Sequence, residues 1–379
     1  MPADQNQLDR LLELIEEHIN LEDCWQVDER YRRAFSYEQV DWPPLVAQPV
    51  FGRRWLLPRP WDQFEFYPYR QAFYDPRAML QNQLLDRVVP GLILKDDSPL
   101  AIRNDHGTIQ IASLLGASWY MHGNDYPWME SLGSTEAVRS LIESDQNIDW
   151  EKGLIGPSTR TLKFYREQLS RYPRCQQALQ ISLPDLQGPM DTAEMLWGSE
   201  MFVALLDEPS LAGKLMDKVV CAMLAVAEYY RQFTYDRLEP FANTQHGYFI
   251  PGRLLIRNDS SILVSPETYR QVIAAQDSKV LRAVGTGSIH FCGNGEHLVE
   301  PMLEIPGLRG LDFGQANMMD VRKIYEMASH RKVVLTCLKP SREDLISGQA
   351  KADFSTGVVF VYNTETIADA CEVVASIKG

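Results

Sequence analysis

Ser288-Ile289-His290-Phe291-Cys292-Gly293-Asn294-Gly295 is the stretch on which the fold turns: an apolar run, a glycine-rich turn, and then the helical pattern Glu296–Leu303. Five further apolar runs end the same way, at Leu179–Leu183, Leu254–Ile256, Gly310–Phe313, Val333–Leu335 and Val358–Tyr362. The helical patterns Pro209–Phe233, Pro266–Val284, Asp320–Ser329 and Thr364–Ile377 lie between or beside them. Short β-branched runs alternating with longer amphipathic ones are the signature of parallel strands joined by crossover helices, so the chain reads as α/β from Val88 onward. Ser265-Pro266-Glu267 marks a helix start, with a capping serine ahead of proline at the first helical position.

Upstream, residues 5–20 read as an amphipathic helix carrying Leu8, Leu11, Leu12, Leu14 and Ile15. The run Trp55–Tyr74 interleaves proline and arginine with Trp, Phe and Tyr, which suits an ordered irregular segment: aromatic packing of an extension, or a wall over a binding pocket. No repeat or low-complexity linker splits the chain, so one domain with an N-terminal extension is expected.

A formal net charge of -14 is the wrong sign for a surface that neutralises phosphates, and nucleic acid is set aside as a partner. No apolar run reaches the roughly 18 residues of a membrane span, and the start lacks a basic and apolar leader; a cytoplasmic protein with no membrane partner is expected. In that compartment the six cysteines read as free thiols or metal ligands.

His290 and Cys292 stand two apart at a strand end, so both side chains fall on one face and can converge on one ion. Cys337 closes another apolar run, Val333-Val334-Leu335-Thr336-Cys337, at the equivalent end. Two thiolates and an imidazole suit zinc and leave a fourth position open, against the plainer reading of buried, inert thiols. Asp259 reads as a fourth ligand, a general acid or base, or a turn residue bonded to its own backbone. Asp185 and Gln187, in Leu183-Pro184-Asp185-Leu186-Gln187-Gly188-Pro189, and Asn104 and His106, in Arg103-Asn104-Asp105-His106-Gly107, are candidates for orienting a substrate.

Taken in order, the blocks Leu183–Pro189, Leu263-Val264-Ser265-Pro266-Glu267 and Ile289-His290-Phe291-Cys292-Gly293-Asn294 resemble the uroporphyrinogen decarboxylase superfamily from about Val88 to the end. The resemblance implies a (β/α)8 TIM-type barrel at 88–379, with 1–87 packed on it as an extension. The carboxylate-gripping Arg-Gln-Ala-Gly-Arg block of the true decarboxylases has only Tyr69-Arg70-Gln71-Ala72-Phe73-Tyr74 as a partial counterpart here, which leaves a metal-free decarboxylase as the alternative. The site residues look closer to the cobalamin-dependent methyltransferases, whose His-x-Cys pair and distant Cys map onto His290, Cys292 and Cys337. That similarity implies zinc, with Asp259 at the reacting centre and the O-demethylase type ahead of the thiol-methylating type. The methyl group would move between a small molecule and a corrinoid (cobalamin). No Asp-x-His-x-x-Gly signature occurs in the chain, so the corrinoid is expected on a separate protein. A homodimer is compatible with this reading, and a non-enzymatic binding protein on the same scaffold is the third one.

Overall fold

The computed structural model describes residues 3–144 and 147–378; Met1 and Pro2, the first residues of the stretch read for a leader, lie outside them. The strands are Leu45–Pro49 (β1), Ala101–Arg103 (β2), Trp119–Tyr120 (β3), Trp128–Met129 (β4), Gln180–Ser182 (β5), Ala242–Gln245 (β6), Tyr248–Pro251 (β7), Leu255–Arg257 (β8), Gly287–Phe291 (β9), Leu308–Phe313 (β10), Val334–Leu338 (β11) and Val358–Thr364 (β12). Six of them form one parallel sheet in the order β1-β12-β11-β10-β9-β8. Helices Glu296–Leu303, Val321–His330 and Arg342–Ser347 lie on the connections from β9 through β12, and Ile367–Lys378 follows. Every residue of β9 and β11 is buried, as expected where a parallel sheet is covered on both faces.

The α/β reading therefore holds, but the closed eight-stranded ladder does not appear. Among the described strands β2 and β5 form a ladder with each other, and an isolated bridge joins Ile181 of β5 to Tyr235 in the segment before β6. β2, β5 and β8 are three residues long, and the chain between β5 and β8 folds into the antiparallel hairpin β6-β7 instead of passing directly into the sheet. β1 lies within residues 1–87 and pairs along its whole length with β12, so the segment before Val88 supplies an edge strand of the main sheet.

The first two helices, Gln5–His18 and Leu21–Phe35, are capped by Asp4 and Asn20. The second docks through Tyr31, whose ring meets Phe249 of β7 edge to face at 4.9 Å, and through Asp28, which binds both Nε and Nη2 of Arg237. Ser265 caps Thr268 N–H as its sequence predicts. None of the helices among the described residues is long and apolar enough to cross a membrane.

Candidate functional site

Buried parallel strands should be apolar, so polar residues inside them mark where something else is required. Arg257 on β8, His290 on β9, Asp312 on β10 and Thr336 on β11 are successive register partners, and register partners share a face of the sheet. All four are buried. Asp312 is the centre of the row: its carboxylate accepts from His290 Nδ1 at 2.5 Å, Tyr248 Oη at 2.9 Å and Thr336 Oγ1 at 2.6 Å. Burial alone would favour the neutral acid, but hydrogen bonds from His246 and His290 outweigh it and hold the group ionised, well below the usual carboxylate range.

The β6-β7 hairpin delivers His246. Its turn places both His246 and Gly247 at positive φ, the two-residue geometry that matches strand twist, and this folds the tip back across the strand ends. His246 Nδ1 lies 3.3 Å from Asp312, and Nε2 lies 2.5 Å from Arg257 Nη1. A guanidinium can only donate, so Nε2 is the acceptor and the ring is neutral with its proton on Nδ1. Burial, and next the charge of Arg257, push its pKa down to about 4. Arg257 in turn binds Asp185 through Nε at 2.5 Å, while Arg103 reaches the same carboxylate at 3.4 Å. Asp185 is thus engaged in orienting two arginines, and Gln187 Nε2 lies 3.4 Å from Oδ1, the oxygen that also meets Arg257.

The opposite face of His290 is the open one. Nε2 lies 3.4 Å from Cys292 Sγ and 3.6 Å from Asp259 Oδ1, and all three donor atoms fall within 4.8 Å of one another. Tetrahedral zinc with bonds of about 2.0–2.3 Å would set its ligands roughly 3.4–3.8 Å apart, so these spacings fit an ion between them. Asp312 behind Nδ1 is the outer carboxylate that metal-binding histidines characteristically use. The second three-donor group, His246, His290 and Asp312, fits less well, because its atoms are consumed in hydrogen bonds and Arg257 occupies the far side of His246. Before any ion binds, burial opposes charge on His290, but hydrogen bonds to Asp312 and Cys292 prevail and push its pKa up to about 10.

Local structure holds this trio in place. Asp259 Oδ1 accepts from Cys292 N–H at 2.7 Å, and the turn carrying Asp259 is pinned by buried Asp191, which accepts from the amides of Asp259 and Ser260. Gly314 is a close approach: a β-carbon there would lie 2.6 Å from Cys292 Sγ. Cys337 is near but outside both donor groups. It is buried, and it sits at φ +64° where the β11–β12 register shifts, a strained position for a residue with a side chain. Burial and then the charge of Asp312 raise its thiol to about 12.

Asn104 and His106 turn toward helix Ile155–Leu169 and not toward the trio. Asn104 donates to Ser158 O, and His106 Nε2 meets Thr161 Oγ1; burial lowers the His106 pKa to about 3. Among the aromatics of 55–74, Trp55 donates to Thr364 O at the end of β12. Tyr69 donates to Asp105 O and packs on Tyr126, and Trp61 lies against His18. None of these contacts reaches Cys292. Sequence reasoning missed His246, Arg257 and Asp312. Asp312 had a signal, an acid inside the apolar run Gly310–Phe313, while His246 had only the His-Gly turn.

No known family profile matches the chain, and no curated protein sequence matches it. Among solved structures, a methyltransferase from Methanosarcina mazei is similar with a TM-score of 0.64 at 14% identity, over 93% of this chain and 98% of that one. The likeness establishes a shared fold.

Proposed function

We propose that the chain is a zinc-dependent methyltransferase of a corrinoid system, built on the uroporphyrinogen decarboxylase-like scaffold. The observation that carries this reading is the two-sided coordination of His290: a fixed carboxylate at Nδ1, and a thiol and a second carboxylate at Nε2 with zinc-ligand spacing. The fold shared with a methyltransferase is consistent with it. His290, Cys292 and Asp259 would hold the ion, and Cys337, buried nearby, would be the further thiol of the set. The ion would supply Lewis acidity, either stabilising a departing alkoxide or keeping a bound thiol ionised.

The chain's own residues do the rest. Asp312 fixes the tautomer and orientation of His290, and Asp191 fixes the turn of Asp259. The row from Arg257 to Thr336 keeps that frame rigid. The methyl donor would be a small methyl ether, with the corrinoid presented by a separate protein. Elemental analysis of purified and zinc-reconstituted protein tests the reading: about one zinc per chain, lost in His290→Ala and Cys292→Ala, is expected. Absence of bound zinc after reconstitution removes it.

One observation favours a second reading. Without a metal, His290 is an imidazolium at neutral pH, and a buried cation with a proton to give is what a metal-free decarboxylase needs at a developing carbanion. Zinc content separates the two.

A further inference from the structure

Of four arginines in this part of the molecule, three share three carboxylates. Arg54 pairs with Asp86 at 3.0 Å, Arg103 with Asp105 and Asp185, and Arg257 with Asp185. Arg87 is the fourth, and among the described residues it has no ion pair and no hydrogen-bond acceptor. Its position is close to the chemistry: Nη1 lies 3.5 Å from where a β-carbon on Gly247 would be, next to the hairpin residue His246 that faces Asp312. Gln48, whose side chain donates to His246 O at 2.6 Å, flanks the same spot.

Arg87 is an exposed residue beside the hairpin turn. Its side chain is exposed, while desolvation by the atoms packed beside it and then the charge of Arg103 lower its pKa from the ordinary arginine value against the opposing pull of Asp86 and Asp105. An arginine stays charged under such pressure, and here it stands without an ion pair among the described residues, inside a protein whose overall charge is -14. Arg87 also sits on a π-helical turn, Leu84–Val88, a departure from α-helix geometry that tends to occur at functional positions. Arg70, in the sequence block that partly resembles the decarboxylases' carboxylate grip, lies elsewhere. It stacks over Tyr74 and bonds to the carbonyls of Met121 and Gly123.

We infer that the substrate carries a carboxylate, and that Arg87 is the residue that binds it. A planar guanidinium fork matches a carboxylate in two parallel hydrogen bonds, and charge-assisted pairs of this kind are strong enough to select one end of a small molecule. Arg103 acts on Arg87 but is itself paired with Asp185 and Asp105. The inference rests on the proposed reacting centre at His290, since that is what the other end of the molecule would face.

The test is calorimetric titration of the full-length protein with methoxyacetate and with 4-methoxybenzoate, each against its uncharged amide. Zinc is measured in the same samples. At least one acid should bind about tenfold or more tightly than its amide, a difference that Arg87→Gln abolishes and Arg87→Lys restores in part, with zinc content unchanged. Equal affinity of acid and amide, no binding of either acid, or an unchanged preference in Arg87→Gln overturns the inference. Arg87-dependent acid binding without zinc would leave this inference standing and remove the zinc reading; zinc without acid binding would do the reverse.

Discussion

Asp312 and His290 are register partners on adjacent parallel strands, and Oδ2 of the first lies 2.5 Å from Nδ1 of the second. The pairing spends one ring nitrogen on structure and commits the other to the open side, where Cys292 and Asp259 wait. Loosening it should therefore loosen whatever His290 holds.

Asp312→Asn should lower zinc affinity by about 10- to 100-fold, the range typical of losing a carboxylate behind a metal-bound histidine. Competition against a chromogenic chelator measures it. Thr336→Val is the comparison, because it removes one hydrogen bond to Asp312 while leaving the contact with His290. Equal effects of the two substitutions would mean that general packing, and not the His290 contact, matters.

Gly314→Ala adds a methyl group at 2.6 Å from Cys292 Sγ, at a residue with no positive φ to complicate the result. The thiol must move, so metal binding and methyl transfer should fall sharply. Thermal stability should drop by no more than about 1–3 kcal/mol, the usual cost of overpacking. Unchanged metal affinity would show that Cys292 is not a ligand.

Cys292→Ala and Cys337→Ala should both abolish methyl transfer with the fold retained, since the strand-end residues sit above a core that does not need them. Circular dichroism checks the fold, and zinc analysis the site. Retention of zinc equal to the unsubstituted protein in Cys337→Ala would leave Cys337 as a strained structural position only.

Asp277 is buried beneath the site, where it accepts from Asn258 and Tyr269. Burial raises its pKa to about 7 against an ordinary carboxylate value near 4, despite the opposing hydrogen bonds. A raised acid binds its proton more tightly in the folded state, so its contribution to stability is full below about pH 4 and is lost as pH rises through about 7. Asp277→Asn lacks that slope. The variant should gain on the unsubstituted protein between pH 5 and pH 8 in denaturant melts, and parallel profiles would contradict the assigned ionisation.

The sequence by itself determined the alternation of buried strands and helices in the C-terminal half. Glu296–Leu303 has the bounds its pattern predicts, and β9 through β12 fall on the apolar runs, because strands covered on both faces are mostly apolar. It also placed His290 and Cys292 on one face, since side-chain direction along a strand is a local property with a period of two. Tertiary structure alone decided the rest. Which residues stand opposite one another across strands depends on register, so the row Arg257, His290, Asp312 and Thr336 is invisible along the chain. His246 reaches Asp312 only because a hairpin turn folds back between strands, and Asn104 and His106, equally polar at a strand end, turn instead toward a helix. The open sheet edge has the same origin: whether short strands such as β2, β5 and β8 close a ladder is settled by what packs between them, a long-range matter that local pattern does not encode.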